Sequence, residues 1–119
     1  MAKDCIFCKI TSGEIPAEKV FESEDLVAFK DINPAAPVHL LIVPKVHIPT
    51  LNDINDEHAV LIGKMFSVGR DLAKKANVHE NGYRMIINCN RDAGQEVFHL
   101  HLHLLGGQPL GKMVQPINP

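Results

Sequence analysis

Apolar residues along the chain fall into short runs with two different periods. Val20-Phe21-Glu22, Leu26-Val27-Ala28-Phe29-Lys30 and Val38 to Val43 are brief and contain β-branched and aromatic residues, and turn-forming residues separate them. That pattern predicts three strands. Thr11-Ser12-Gly13-Glu14-Ile15-Pro16 and Ser23-Glu24-Asp25 read as turns. Asn33-Pro34-Ala35-Ala36-Pro37 cannot extend a strand, because its two prolines lack the backbone donor a ladder needs, and Pro44 closes the third strand. The period changes over Asn52 to Asn77, the one long helical signal, with Asp53 and Asn55 both suited to cap its start. Leu61, Met65, Val68 and Leu72 form one stripe, and Ile62, Phe66, Gly69 and Ala73 form a second beside it. The combined face is wider than a surface helix needs, so part of it is expected to pack against a second subunit. An Asn81-Gly82 turn leads to a fourth strand, Tyr83 to Asn88, and a polar loop, Arg91 to Gln95, leads to a fifth, Val97 to Leu105, which Gly106-Gly107 ends.

Five short consecutive strands with one long helix among them predict an α+β fold, an antiparallel five-stranded sheet with the helix packed on it. No repeat or linker divides the 119 residues, so residues 1–119 read as a single domain with 108–119 as a C-terminal tail. A net charge of -2 lacks the basic excess that nucleic-acid or membrane-surface binding requires. No apolar run approaches the roughly 20 residues of a membrane span. The first ten residues carry Lys3, Asp4 and Lys9 instead of an apolar signal core. Three cysteines suit a reducing compartment better than a disulfide framework. A cytoplasmic location is therefore expected.

Seven histidines in a chain with one tyrosine and no tryptophan are the unusual feature. Three of them alternate with leucines in His99-Leu100-His101-Leu102-His103. Side chains alternate faces along a strand, so the leucines can enter the core while the three imidazoles share the opposite face. A solvated polar face is the plain alternative. Two chemical readings compete with it. Imidazoles bind metals, although His99 and His103 would stand about 13 Å apart along a strand, too far for all three to meet one ion easily. Alternatively, a neutral imidazole attacks phosphorus and forms a covalent intermediate that water resolves. Asn88, Gly94 and Gln95 precede the strand, and Gly-containing loops and carboxamides are suitable donors to phosphate oxygens. Cys5-x-x-Cys8 has the spacing of a metal-ligand pair, with two buried thiols as the alternative.

His99-Leu100-His101-Leu102-His103-Leu104-Leu105 resembles the signature of the histidine triad (HIT) superfamily. Cys5 to Ile10, Phe29 to Pro34, Pro37 to Lys45 and Gly94 to Phe98 resemble that superfamily in the same order, so the likeness runs from Cys5 to Gly107. The ending Leu104-Leu105-Gly106-Gly107 is similar to the Hint branch of purine nucleoside phosphoramidases. The resemblance implies the HIT-like fold, with a short N-terminal helix and a sheet extended across a homodimer. It implies P–N bond cleavage of purine nucleoside 5′-phosphoramidates, with His101 attacking the α-phosphorus, an amine leaving, and water releasing the nucleoside monophosphate. His103 then contacts phosphate, and His39 relays a proton or orients its neighbour. Asp31 matches the acid that accepts from ribose hydroxyls, and Phe7, Ile10, Phe29 and Ile32 match the apolar slot for the base. Asn88, Gly94, Gln95 and Glu96, with His101 and His103, complete the implied nucleotide site.

The chain departs from the best-known pattern at three places. Glu96 stands where many relatives carry serine, Ala93-Gly94 replaces a more frequent Gly-Gly, and Lys112 to Pro119 holds no tryptophan. The resemblance also implies a structural zinc held by Cys5, Cys8, His47 and His99, and no catalytic metal. Cys89 reads as a core residue and not a ligand, and His58 on the helix and His79 near a turn read as solvated. Two other functions compete: a dinucleoside polyphosphate hydrolase using the same nucleophile, against which Gly106-Gly107 argues, and a nucleotide-binding scaffold whose role is a partner contact.

Overall fold

The computed structural model describes residues 4–114. It contains five strands, β1 (Lys19–Glu22), β2 (Leu26–Lys30), β3 (Val38–Pro44), β4 (Tyr83–Ile86) and β5 (Leu102–Gly106). A short helix, α1 (Ile6–Thr11), precedes them, and a long one, α2 (Ala59–Lys75), lies between β3 and β4. The strands form one sheet in the order β1-β2-β3-β5-β4, with every neighbouring pair antiparallel. The α+β antiparallel fold expected from the pattern is the fold observed, and the short N-terminal helix that the resemblance implied is present as α1.

Strand alternation divides the core into two. Leu26 and Ala28 of β2, Leu40 and Ile42 of β3, and Leu102 and Leu104 of β5 lie with Met65, Leu72 and Ala73 of α2 in one cluster. Val27, Phe29, Leu41 and Val43 belong to a second cluster, with Phe7, Cys8 and Ile10 of α1. The sheet therefore has apolar side chains on both faces, with α2 on one and α1 on part of the other. The rest of the second face is where the histidines emerge. Burying a leucine such as Leu102 or Leu104 favours the fold by about 1.5–3 kcal/mol, which fixes the register and so the face on which His103 stands. Gly69 lets α2 approach closely: a Cβ there would lie 2.8 Å from the Met85 Sδ and 3.4 Å from the Ile42 Cδ1.

Several boundaries differ from those the pattern predicts, three of them beside the site or at the helix start. Residues 52–58 are not the start of the long helix. They form two 3₁₀ turns, Leu51–Asp53 capped by the Thr50 hydroxyl and Asp56–His58 capped by the Asn55 carboxamide, with Ile54 extended between them. Asn55 does cap a turn, while Asp53 sits at the third position of the first turn and accepts from the Thr50 backbone N–H. Asx and Thr side chains compete with the helix for these backbone donors, and the helix begins only where they end. In the helix the second stripe divides: Gly69 and Ala73 are buried, while Phe66 is 42% exposed. The fifth strand starts at Leu102 instead of Val97, and the fourth ends at Ile86 instead of Asn88. Residues 97–101 run beside Ile48, whose carbonyl accepts from the Leu100 N–H at 2.6 Å, and no longer pair with β4. The expected single unit of 1–119 extends past the described residues at 1–3 and 115–119, so the last part of the expected tail lies outside them.

Candidate active site and metal centre

The histidines keep their alternation beyond the end of the ladder. Leu100 and Leu102 enter the α2-side core, so His99, His101 and His103 take the other face although only His103 belongs to β5. His103 lies opposite Leu41 of β3, and His39 opposite Leu105 of β5, which brings His39 and His103 to the same end of the same face. A cavity of about 450 Å³ opens there. His39, His101 and His103 line it, with Phe7 and Ile10 from α1, Phe29 from β2, Asp31 and Ile32 from the loop after β2, and Asn88, Gly94 and Glu96 from the segments before β5.

Hydrogen bonding sets the tautomer of each ring. The His101 Nδ1 lies 2.7 Å from the main-chain oxygen of His99. A carbonyl oxygen only accepts, so Nδ1 carries the hydrogen and Nε2 keeps its lone pair. The Phe7 ring meets the His101 ring edge-on at 5.0 Å, and the His103 ring lies 4.9 Å away. Burial pushes the His101 imidazole below its ordinary value; the bond to His99 and the charge of Asp31 oppose this. The pocket therefore holds His101 neutral, the form with a nucleophilic lone pair.

His39 and His103 form a directed pair. The Ala35 backbone N–H donates to the His39 Nδ1 at 3.0 Å, so that nitrogen accepts. The His39 hydrogen must then sit on Nε2, which lies 2.9 Å from the His103 Nδ1 and 3.4 Å from an Asp31 carboxylate oxygen. His39 donates to His103, and His103 carries its own hydrogen on Nε2. Burial first, then the neighbouring His101 and His39 rings, pulls the His103 imidazole down to about 4, so it too is neutral at pH 7.

At the other end of the triad, Cys5, Cys8, His47 and His99 converge. The His99 Nδ1 is 3.2 Å from the Cys5 Sγ, 3.5 Å from the Cys8 Sγ and 3.2 Å from the His47 Nδ1, and the Cys8 Sγ is 3.3 Å from the His47 Nδ1. A zinc tetrahedron with bonds of about 2.0–2.3 Å has edges of about 3.3–3.8 Å, and the four atoms lie close to that spacing. The donor chemistry agrees. The His99 Nε2 donates to the Pro44 carbonyl at 2.7 Å, which leaves the Nδ1 lone pair facing the two sulfurs and fixes the ring, as hydrogen bonds to the far nitrogen do for metal-binding imidazoles. Cys5 also caps α1, and its sulfur accepts from the Cys8 N–H at 3.3 Å. These four residues could hold a metal ion. Asp31, His39 and His103 also bring three ligand atoms together. There, however, a hydrogen occupies the space between the two rings, because the Ala35 N–H already takes the His39 lone pair at Nδ1. The first cluster offers converging lone pairs, and the second a hydrogen-bond chain.

Residues 4–114 match the family model described as the scavenger mRNA decapping enzyme C-terminal binding region. The chain is 48% identical over 114 residues to the purine nucleoside phosphoramidase of Escherichia coli (strain K12), covering 96% of each protein. It is 50% identical over 103 residues to protein HitA of Neisseria gonorrhoeae, covering 87% of this chain and 95% of HitA. Among solved structures, a histidine triad protein from Clostridium difficile superposes with a TM-score of 0.92 at 45% identity, over 96% of this chain and 99% of the other. A HIT family hydrolase from Legionella pneumophila Philadelphia 1 gives 0.89 at 50% identity, over 91% and 96%. The chain belongs to the histidine triad superfamily.

In this histidine triad protein one expected nucleotide contact is placed elsewhere. Gln95 is buried, and its carboxamide is committed to the loop: Oε1 accepts from the Asn90 N–H at 2.7 Å, and Nε2 donates to the carbonyls of Pro49 and Val97 at 2.8 and 3.1 Å. It shapes the turn that carries Gly94 and does not line the cavity. Gly94 itself takes φ +81°, a conformation that favours glycine. The cavity also includes residues that motif reading passed over, among them Ile15, Pro16, Lys30, Leu41 and Val97. Leu41 was within reach, since it shares a strand face with His39. Ile15 and Pro16 were not: they read as a turn, and only the folding of the α1 segment over the sheet brings them in. Cys89 is half-buried and takes no part in the cysteine and histidine cluster.

Proposed function

We propose that this protein hydrolyses the P–N bond of purine nucleoside 5′-phosphoramidates through a nucleotidyl intermediate on His101. One observation carries the reading: a buried, neutral imidazole whose Nδ1–H is held by its own chain and whose lone pair on Nε2 has no partner among the described residues lines a nucleotide-sized cavity. The E. coli relative named a purine nucleoside phosphoramidase, similar over nearly the whole chain, supports it. In the first step the Nε2 lone pair of His101 bonds to phosphorus, the P–N pair goes to nitrogen, and the amine leaves with a proton from solvent at the pocket mouth. In the second step water attacks phosphorus, the electron pair of the N–P bond returns to Nε2, and the proton goes back to solvent. The His103 Nε2–H donates to a phosphoryl oxygen as charge builds there, and His39 orients His103. Asp31 accepts from the ribose hydroxyls, Phe7, Ile10, Phe29 and Ile32 enclose the base, and Asn88 and Gly94 lie beside the phosphate.

The charge of the cavity supports phosphoramidates over polyphosphates. Asp31 and Glu96 are its carboxylates, and the ammonium of its one described lysine, Lys30, lies 2.6 Å from a Glu18 oxygen. Among the described residues no unpaired cation lines it to neutralise an extended polyphosphate, whereas a singly charged phosphoramidate with an uncharged or cationic amine is tolerated. The test compares kcat/KM on an adenosine phosphoramidate and on a diadenosine polyphosphate, with His101→Ala as control. The expected result is a large preference for the phosphoramidate that vanishes with His101. A preference for the polyphosphate would overturn the substrate assignment.

The metal site fits structural zinc, with all four positions filled by Cys5, Cys8, His47 and His99, which leaves no open position for catalysis. It would tie the start of α1, and hence Phe7, to the segment before β5. The working unit is a homodimer. β4 is an outer strand of the sheet with partly buried residues throughout, and Phe66 on α2 is exposed, which supports pairing across that edge. Light scattering on the purified protein gives the mass directly, and a monomer at working concentration would end this part of the reading.

A further inference from the structure

The loop between β2 and β3 does more than carry a ribose contact. Two residues of it hold His39: the Asp31 N–H donates to the His39 main-chain oxygen at 3.0 Å, the Ala35 N–H donates to its Nδ1 at 3.0 Å, and an Asp31 carboxylate oxygen lies 3.4 Å from its Nε2. The Asn33 N–H in turn holds the other Asp31 oxygen at 2.9 Å. A backbone N–H can only donate and a carboxylate can only accept. Both therefore favour the same tautomer of His39, hydrogen on Nε2 and lone pair on Nδ1.

We propose that the main-chain N–H of Ala35 is the positioning group that sets the direction of the His39–His103 pair and so makes His103 a donor toward the phosphoryl group. The alternative tautomer shows what is at stake. With its hydrogen on Nδ1, His39 would accept from the His103 Nδ1, and a neutral His103 would then have no hydrogen on Nε2. A lone pair would face the phosphoryl oxygens where a donor is needed, turning an attraction into a repulsion at the place where negative charge develops. Nothing in the side chain of Ala35 is used; it is exposed and apolar, and no motif would single it out. The inference rests on the phosphoramidase reading only for its effect on rate. The tautomer itself is a property of the free protein.

The test is ring ¹⁵N spectroscopy of the full-length labelled protein with no substrate. His39 should show an unprotonated Nδ1 and a protonated Nε2, and His103 a protonated Nε2. A protonated Nδ1 on His39, or two averaged nitrogens, overturns the proposal. Ala35→Pro deletes the one N–H in question. Its His39 signals should move toward averaged tautomers, and kcat on an adenosine phosphoramidate should fall ~10-fold or more while KM changes little, because the loss is confined to the transition state. Ala35→Gly keeps the N–H and should keep the wild-type ring spectrum. A folded Ala35→Pro protein with an unchanged His39 spectrum and unchanged kcat also overturns the proposal. The wild-type spectra can overturn the proposal by themselves, even where the proline variant does not fold. They hold even if another substrate class proves correct, so failure of the functional reading is separable from failure of this one.

Discussion

Each histidine of the triad takes its chemistry from the atom bonded to its other nitrogen. His101 donates to a carbonyl and keeps a free lone pair, His99 donates to Pro44 and turns its lone pair to two sulfurs, and His103 accepts from His39 and keeps an N–H. Replacing His101 with alanine removes the proposed nucleophile, and turnover should fall by about 10³-fold or more with the fold retained, as circular dichroism would confirm. Replacing His103 with alanine removes one donor, and kcat should fall by about 10²–10³-fold, the magnitude of a lost oxyanion donor. Activity also has a signed pH dependence. In the proposed reaction the neutral form of His101 attacks, and burial lowers its value, so kcat/KM should stay level through neutrality and fall only as pH drops below the ordinary imidazole value near 6.5. Stability should follow the same direction. His103 titrates near 4 in the folded chain and near 6.5 unfolded, so the unfolded state binds the extra proton first. Its contribution is complete above 6.5 and is lost as pH falls toward 4, which chemical denaturation at several pH values would show. The types of these residues were legible in the sequence, because leucines at period two fix which face the imidazoles take. The tautomers were not, since they depend on Pro44, Ala35 and the His99 carbonyl, backbone groups without a sequence signature.

At the level of elements, α1 is held by chemistry more than by propensity. Six residues make too short a helix to persist alone. Its position follows from Phe7, Cys8 and Ile10 in the second core and from the cysteine and histidine cluster. Cys5→Ser or Cys8→Ser, or chelation of the purified protein, should therefore lower Tm by about 10 °C or more, and nucleotide affinity should weaken with it because Phe7 is on that helix. Activity below the new Tm should survive chelation; immediate loss at a temperature where the protein stays folded would mean that the metal is in the chemistry. On the other face, Gly69→Val would push a side chain against Met85 and Ile42 and should cost about 1–3 kcal/mol in denaturant unfolding. The strands and the long helix were readable from periodicity. The boundaries were less so: Thr50, Asp53 and Asn55 give capping signals that suit a helix start, yet they close two separate 3₁₀ turns, and the choice depends on how Leu51 and Ile54 pack against the core.

For the whole molecule, the sheet separates two tasks. The α2 face supplies the large apolar core, and the opposite face has α1 over part of its surface and the cavity over the rest. That division explains why a 119-residue chain can spend three buried histidines on a functional face without losing its core. It also explains how the cysteine and histidine cluster and the cavity coexist on one short stretch. His99 and His101 lie two residues apart on the same side, and the chain bends away from the ladder between residues 97 and 101 so that the first faces the cysteines and the second the pocket. The most direct test of the account is mass spectrometry of the protein quenched during turnover of a slow adenosine phosphoramidate, with peptide mapping of the product. A single adenylyl group on His101 is the expected result. An adduct on any other residue, or a protein that turns over substrate while never carrying one, would contradict it.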